Sequence, residues 1–352
     1  MKLYQIKEVT ETFNNAGTKA NQDISDIAER LGFKPVTIRM NTVRHSAYGK
    51  MKRQAGYYSD WKNAVKIIPE SSVVLLQHPF HHKQLTREKN LLSLKAKRIK
   101  FISVVHDVEE LRGFRYSDYY RREFEFMLEI ADMIIVHNER MKQWFEEQGV
   151  SADKLITLDI FDYLLDKRTK GKEFVKSLTI AGNLDTSKSG YIAELGKLPE
   201  ICFDLYGANF DPSIKSFPNI AYHGEYPIDV IPSKLSGGFG LVWDGNSIDG
   251  CKGQSGQYLQ YNNPHKLSLY LASGLPVVIW EGAAEAAFVK KYDVGFCVES
   301  LEELSGIMDS VDASEYAKLC TNAGRLSEGL CSGEYAEKAI AEALHRIEKN
   351  EN

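Results

Sequence analysis

The stretch most able to do chemistry is Tyr261-Asn-Asn-Pro-His-Lys-Leu-Ser-Leu-Tyr-Leu-Ala-Ser-Gly-Leu-Pro276. Asn263 is a favoured helix N-cap, and Pro264 suits a first helical position, where its missing N–H costs nothing. The predicted helix then carries His265 and Lys266 in its first turn. Cations are unfavourable at the positive end of a helix dipole. A bound anion such as a diphosphate would resolve that conflict, because free amides and the Lys266 ammonium would converge on it. Asn262, Asn263, His265, Lys266 and Leu267 are then its candidate contacts. The alternative is a capped helix whose lysine faces water. A second signal is Thr179-Ile-Ala-Gly-Asn-Leu184. Gly182 at a strand end lets a ligand approach the backbone closely. Asn183 offers a donor and acceptors to a ribose, base or phosphate. Leu184 adjoins them, Lys188 lies within reach of a phosphate, and Tyr206-Gly207 ends the next strand in the same way.

Acid–base chemistry points to Ser103-Val-Val-His-Asp-Val-Glu-Glu-Leu-Arg-Gly113. His106 and Asp107 follow a buried strand, where either could act as general base on a hydroxyl. Asp107 could instead orient His106 or cap the next segment. In Asn14-Asn-Ala-Gly-Thr-Lys-Ala-Asn21, Gly17 and Thr18 precede a helix as a glycine-containing first βα turn and could face a reactant. Gly238-Phe-Gly-Leu-Val-Trp-Asp-Gly-Asn-Ser247 ends a strand at Asp244 and opens a polar loop reaching Tyr261. That loop reads as a lid over a cleft, or as a surface excursion. The cluster His78-Pro-Phe-His-His82 lacks a carboxylate or Cys at ligand spacing, so no metal is expected there.

These residues need a scaffold. Apolar runs at 36–40, 72–77, 99–105 and 133–136 alternate with helical patterns at 23–31, 119–130 and 139–148, the rhythm of a parallel sheet buried on both faces. After a charged stretch at 166–173 the rhythm restarts, with strands at 177–181, 201–206, 239–243, 276–280 and 295–298 and helices at 228–235, 265–272 and 283–291. From Leu301 onward the pattern is helical. The expected organisation is two Rossmann-like α/β domains, residues 1–165 and 166–330, with parallel sheets facing a cleft, and a C-terminal helix at 331–352. At 352 residues, 43% hydrophobic and 26% charged, the chain suits two globular cores. A net charge of −4 provides no global field for nucleic acid. The five cysteines lack metal or disulfide spacing. With no leader-like or membrane-spanning apolar run, the reading is a cytoplasmic protein. The basic clusters Lys50-Met-Lys-Arg53 and Lys95-Ala-Lys-Arg98 allow at most peripheral contact with the inner membrane face.

The chain resembles the bacterial β-1,6-galactofuranosyltransferases of O-antigen and capsule synthesis. The resemblance rests on His106-Asp-Val-Glu-Glu-Leu-Arg-Gly113, Ile160-Phe-Asp-Tyr-Leu164, Ala181-Gly-Asn-Leu184, Phe239-Gly-Leu-Val-Trp-Asp-Gly245 and Asn262-Asn-Pro-His-Lys266. More loosely, it is similar to the streptococcal glucosyltransferases that extend the O-glycan of serine-rich adhesins. Both groups imply a GT-B fold and a UDP-sugar donor, with Gly182, Asn183 and the Lys266 loop at the UDP. Inversion at the anomeric carbon is implied by the resemblance alone. Many GT-B relatives place a ribose-binding Glu where this chain has Ala287; Glu285, two residues earlier, is the candidate substitute. The single-domain glycosyltransferases hold a divalent metal on the diphosphate with an Asp-x-Asp pair, and this chain has none. Helix amides and cations are expected to meet that charge instead.

The resulting expectation is a metal-independent hexosyltransferase that transfers galactofuranose from a UDP-sugar to a saccharide acceptor in cell-surface polysaccharide synthesis. Asp107 or His106 serves as base, and Gly17, Thr18 and Asp244 face the sugars. Two rivals stand beside it: glucosyl transfer from UDP-glucose to a GlcNAc-modified adhesin, and a non-catalytic GT-B partner subunit. The protein could form a homo-oligomer.

Overall fold

The structure, a computed structural model, describes residues 1–10, 16–40, 47–113, 115–166 and 173–351. In the first half, β1 (Lys2–Thr10), β2 (Lys34–Met40), β3 (Ser72–His78), β4 (Lys100–Val105), β5 (Met133–Val136) and β6 (Leu155–Thr157) form a parallel sheet ordered β2-β1-β3-β4-β5-β6. Helices α1 (Ala16–Arg30), α2 (Ala47–Ile67), α3 (Arg87–Lys95), α4 (Glu109–Arg112), α5 (Asp118–Ile130) and α6 (Glu139–Glu147) connect the strands. Strand side chains alternate between the two faces. Val73, Leu75, Ile102 and Val104 pack with α1, whereas Val74, Leu76 and Phe101 pack with α2 and α3.

The second half repeats the plan. Strands β7 (Ser177–Ala181), β8 (Cys202–Tyr206), β9 (Ile220–Tyr222), β10 (Phe239–Val242), β11 (Val277–Trp280) and β12 (Gly295–Val298) form a parallel sheet ordered β12-β11-β10-β7-β8-β9. Its helices are α7 (Ile231–Lys234), α8 (Gly253–Gln257), α9 (His265–Ala272), α10 (Ala286–Tyr292), α11 (Leu304–Ser310) and α12 (Ala313–Ser332), and α13 (Glu334–Glu351) closes the chain. The strand order reverses between β1 and β3 in one sheet and between β7 and β10 in the other. At such switch points the connections leave on opposite faces and open a crevice beyond the strand ends.

The C-terminal helices stitch the halves together. Residue 331 lies within α12, and the chain turns only at Gly333, where φ is 97° and an added Cβ would meet Ile27 at 2.6 Å. The last helix, α13, then packs on the first sheet, burying Ala336, Ala339, Ile340, Ala343 and Ile347 beside Val73 and Leu75. Asp162 fixes its start by accepting from the Tyr335 and Ala336 amides at 3.2 and 2.7 Å.

Several elements differ from the sequence reading. Strand β1 lies outside the expected strands, because Lys2, Lys7 and Glu8 interrupt its apolar pattern. The helix expected at 228–235 shrinks to α7, and the one at 283–291 starts at α10. Residues 245–261 are not an open lid: Ile248, Cys251, Tyr258 and Leu259 are buried, and α8 gives the segment regular structure. The basic cluster near residue 97 is partly structural, with Lys95 Nζ donating to Ile130 O at 2.5 Å and Lys97 Nζ to Ile68 O at 3.3 Å. No helix among the described residues is long and apolar enough to cross a membrane.

Candidate active site at the interdomain cleft

On the second sheet, the switch point gathers Gly182, Asp244 and Lys266. Gly182 follows β7 at φ 136°, and its amide donates to Tyr206 O at 2.9 Å. A Cβ built there would sit 3.8 Å from Lys266 Cε. Next to it, Gly207 has φ 142°, and an added Cβ would fall 1.7 Å from Gly182 O, so only glycine lets the two strand ends close together. Helix α9 reaches this corner because Gly240 leaves room for the Tyr270 ring, whose hydroxyl accepts from the Ala181 amide at 2.8 Å. Lys266 Nζ donates to Trp243 O at 3.0 Å and to Asp244 Oδ1 at 2.7 Å. Burial works against its charge, but Asp244 outweighs burial and its pKa is raised. A permanent ammonium therefore stands at the crevice, beside the helix N-terminus.

The start of α9 differs from expectation. Pro264 occupies the cap position with extended backbone and offers no side-chain cap, and the helix begins at His265. Asn263 does not cap it, because its amide is committed to the seam between the halves. Asn263 Nδ2 donates to His137 O at 2.8 Å and Asp159 O at 3.0 Å, and its Oδ1 accepts from Asn138 Nδ2 at 2.7 Å. Its backbone N–H donates to His137 Nδ1 at 2.9 Å, so the His137 proton sits on Nε2, which donates to Val105 O at 3.1 Å. Burial holds His137 neutral, with a pKa lowered to about 3. Asn138 Nδ2 also lies 3.4 Å from Glu285 Oε1. Burial, and then the Asp159 charge, push Glu285 well above the usual carboxylate range. Glu285 Oε2, Asn262 Oδ1 and His265 Nε2 are all buried without a hydrogen-bond partner.

The other expected contacts divide. Exposed Asn183 folds its Oδ1 onto the Asp185 amide at 3.1 Å and accepts from Asn209 Nδ2 at 2.9 Å. Lys188 is exposed on the following turn. Tyr206 is brought beside Gly182 only through its backbone; its buried ring stacks on His223 at 4.6 Å. Leu184 and Leu267 are corrected from contact to core. Their side chains belong to the second half's apolar cluster, and their amides already donate to Ala208 O and Pro264 O.

On the first sheet, His106 and Asp107 follow β4. Gln77 Nε2 donates to Ser25 Oγ at 3.0 Å and Asn21 O at 3.2 Å, which turns its Oε1 toward His106 Nε2 at 2.7 Å. That carbonyl can only accept, so His106 carries its proton on Nε2 and leaves Nδ1 as a lone pair. Its ring stacks on Phe161 at 5.4 Å, and Phe161 stacks in turn on His265 at 5.3 Å, joining the halves through three rings. Burial and the neighbouring histidines lower the His106 pKa well below its ordinary value. Asp107 Oδ2 accepts from Arg112 Nη1 at 2.6 Å. Burial outweighs that cation, and the Asp107 carboxyl is raised to about 6. Gly17 lies in the first turn of α1 and Thr18 is half-buried there, on the helix whose Asn21 reaches Gln77. Asn14 and Asn15 of the same motif lie outside the described residues.

Sequence reasoning missed Arg112, Gln77 and Tyr258, whose hydroxyl accepts from the Val108 amide at 3.0 Å across the halves. Arg112 was within reach of a reader, since a short helix returns it beside Asp107. Gln77 and Tyr258 had no local signal. His78, His81 and His82 do not converge: His78 Nδ1 pairs with Glu123 Oε1 at 2.7 Å, and the His82 carbonyl accepts from Tyr119. Among the described residues, no group of three or more His, Cys, Asp or Glu is placed to hold a metal.

Comparison with known proteins bears out the resemblance. Residues 3–160 match the N-terminal domain of the glucosyltransferase 3-like family, and residues 178–343 match its C-terminal domain. The chain is 33% identical to the β-1,6-galactofuranosyltransferase WbbI of Escherichia coli K12, over 97% of this chain and 98% of that one. It is 24% identical to glucosyltransferase 3 of Streptococcus gordonii, over 93% and 94%. The Anabaena protein HepE, solved with UDP-glucose, superposes with a TM-score of 0.61 at 14% identity, covering 98% of this chain and 99% of that one, a likeness of fold. Two parallel-sheet halves joined by such a cleft, matched along both halves, make this chain a GT-B glycosyltransferase of the glucosyltransferase 3-like family.

Proposed function

We propose that the protein transfers a hexosyl residue, galactofuranosyl in the favoured reading, from a UDP-sugar to a saccharide hydroxyl. The second half would hold the nucleotide and the first half the acceptor. The observation that carries this reading is the crevice between β7 and β10, where Gly182, the fixed Lys266 ammonium and the first amides of α9 meet. The His265 and Lys266 amides, the first two of the helix, have no intrahelical acceptor and suit a diphosphate. The UDP-glucose held by HepE and the activity named for WbbI support the same reading. Asn262 Oδ1, His265 Nε2 and Glu285 Oε2 support it further, because buried polar atoms are normally paired. Their partners would come from the bound donor.

In this reaction the acceptor oxygen attacks the anomeric carbon while its proton passes to the Asp107 carboxylate. The bond from the anomeric carbon to the β-phosphate oxygen breaks, and UDP leaves with the electron pair. Lys266 and the α9 amides stabilise that departing charge, and no metal is called for. Asp107 is favoured over His106 because a pKa near 6 suits a base at neutral pH, whereas His106 is too weakly basic. His106 then positions the acceptor through Nδ1. A donor screen with UDP-galactofuranose, UDP-glucose and UDP-GlcNAc, read by product mass, tests the assignment. Turnover with UDP-glucose alone would move the protein to the glucosyl reading. Failure to release UDP from any donor would favour a non-catalytic partner subunit.

A further inference from the structure

Helix α2 is basic: it holds five Lys and Arg against one Asp, a net +4 within a chain of net −4, so the rest carries −8. The same helix holds four of the twelve exposed large apolar side chains among the described residues. Helix α2 sorts them. Tyr57, Trp61 and Ala64 face the core, while Tyr48, Met51 and Tyr58 recur at helical spacing along an exposed side, with exposures of 70%, 66% and 46%. Lys50 and Lys52 flank Met51 and make no ion pair with any described residue. Lys62 Nζ lies 4.8 Å from the centre of the Tyr58 ring, extending the stripe with one more cation.

A second element joins this stripe. The Leu85 amide donates to Gln54 Oε1 at 3.0 Å, and Gln54 Nε2 donates to Lys83 O at 2.7 Å. The 68%-exposed Leu85 is thereby pinned beside α2 between the turns of Met51 and Tyr58.

We propose that this face binds an anionic phospholipid bilayer, with α2 lying in the interface. Apolar and aromatic side chains interleaved with free lysines are the pattern of an interfacial helix, whose rings and methionine enter the headgroup boundary while ammonium groups meet lipid phosphates. A protein partner fits poorly, because lysine is depleted at protein interfaces, and here Lys50, Lys52 and Lys62 border the stripe. The remaining −8 of the chain favours an orientation with this face toward the anionic surface.

Sedimentation of the full chain with mixed phosphatidylcholine–phosphatidylglycerol vesicles, against phosphatidylcholine alone, tests the proposal. Binding should require the anionic lipid and weaken with salt. Each lysine removed should weaken it about fivefold, so Lys50→Gln/Lys52→Gln should lose about thirtyfold. Met51→Ser/Tyr58→Ser should also release the protein. Thermal melting and UDP release should be unchanged in both variants, which separates lost contact from lost fold. No sedimentation with anionic vesicles, equal sedimentation with both kinds, or wild-type partition of both variants would each overturn it. Ultracentrifugation showing a dimer that these substitutions dissolve would overturn it too, with a second copy as the occupant.

Discussion

The sharpest test of the donor site is a double-mutant cycle on Lys266 and Asp244. Lys266 can act in two ways: it can bond the diphosphate directly, or it can merely neutralise the Asp244 carboxylate 2.7 Å away. Lys266→Ala removes a charge-assisted hydrogen bond worth about 1.5–3 kcal/mol, or roughly 10–150-fold in UDP affinity. It also leaves Asp244 unpaired beside the phosphates, which weakens binding further. Both routes predict a weak single variant, so that result alone cannot separate them. Lys266→Ala/Asp244→Ala can, because it removes the stray carboxylate as well. Direct contact predicts that the double variant stays at least about tenfold weaker than wild type. Calorimetric titration with UDP reads both affinities, and thermal melting confirms the fold. Recovery of wild-type affinity in the double variant would reduce Lys266 to a counter-ion. Unchanged affinity in the single variant would remove it from the site altogether.

Two further outcomes follow from the same geometry. Asp107→Asn should lower kcat by about 10²–10⁴-fold with little change in donor binding. In the wild type, activity should fall as pH drops through about 6, since a raised carboxyl is protonated and loses its lone pair below that value. A pH–rate profile that keeps this acid limb in the Asp107→Asn variant would place the base elsewhere. Gly207→Ala should destabilise the second half by about 2–5 kcal/mol, combining strain at positive φ with a Cβ 1.7 Å from Gly182 O. Denaturant unfolding measures this, and a stable variant would mean that β7 and β8 can separate at their ends.

What the sequence determined by itself was the plan of the molecule and much of its chemistry. Continuous apolar runs between helical patterns specify strands buried on both faces, and that signal is local, so β3, β4, β5, β7, β10, β11 and β12 were legible. Glycine at strand ends was legible too, since close approach leaves few other residues able to serve. A central strand such as β1, patterned with Lys7 and Glu8, was hidden because its burial comes from neighbours distant in sequence.

Which polar groups remain available to a ligand depends on contacts between distant segments. Asn263 has the ideal type and position for a helix cap, yet His137, Asn138 and Asp159 claim its amide from across the seam. Leu184 and Leu267 sit within the right motifs but point into the core. His106 owes its tautomer to Gln77, and Asp107 owes its pKa to burial set against Arg112. A hydrogen-bond partner or a desolvated environment depends on where distant segments meet. Residue type and spacing can nominate a catalytic group, but the fold fixes its proton and its charge.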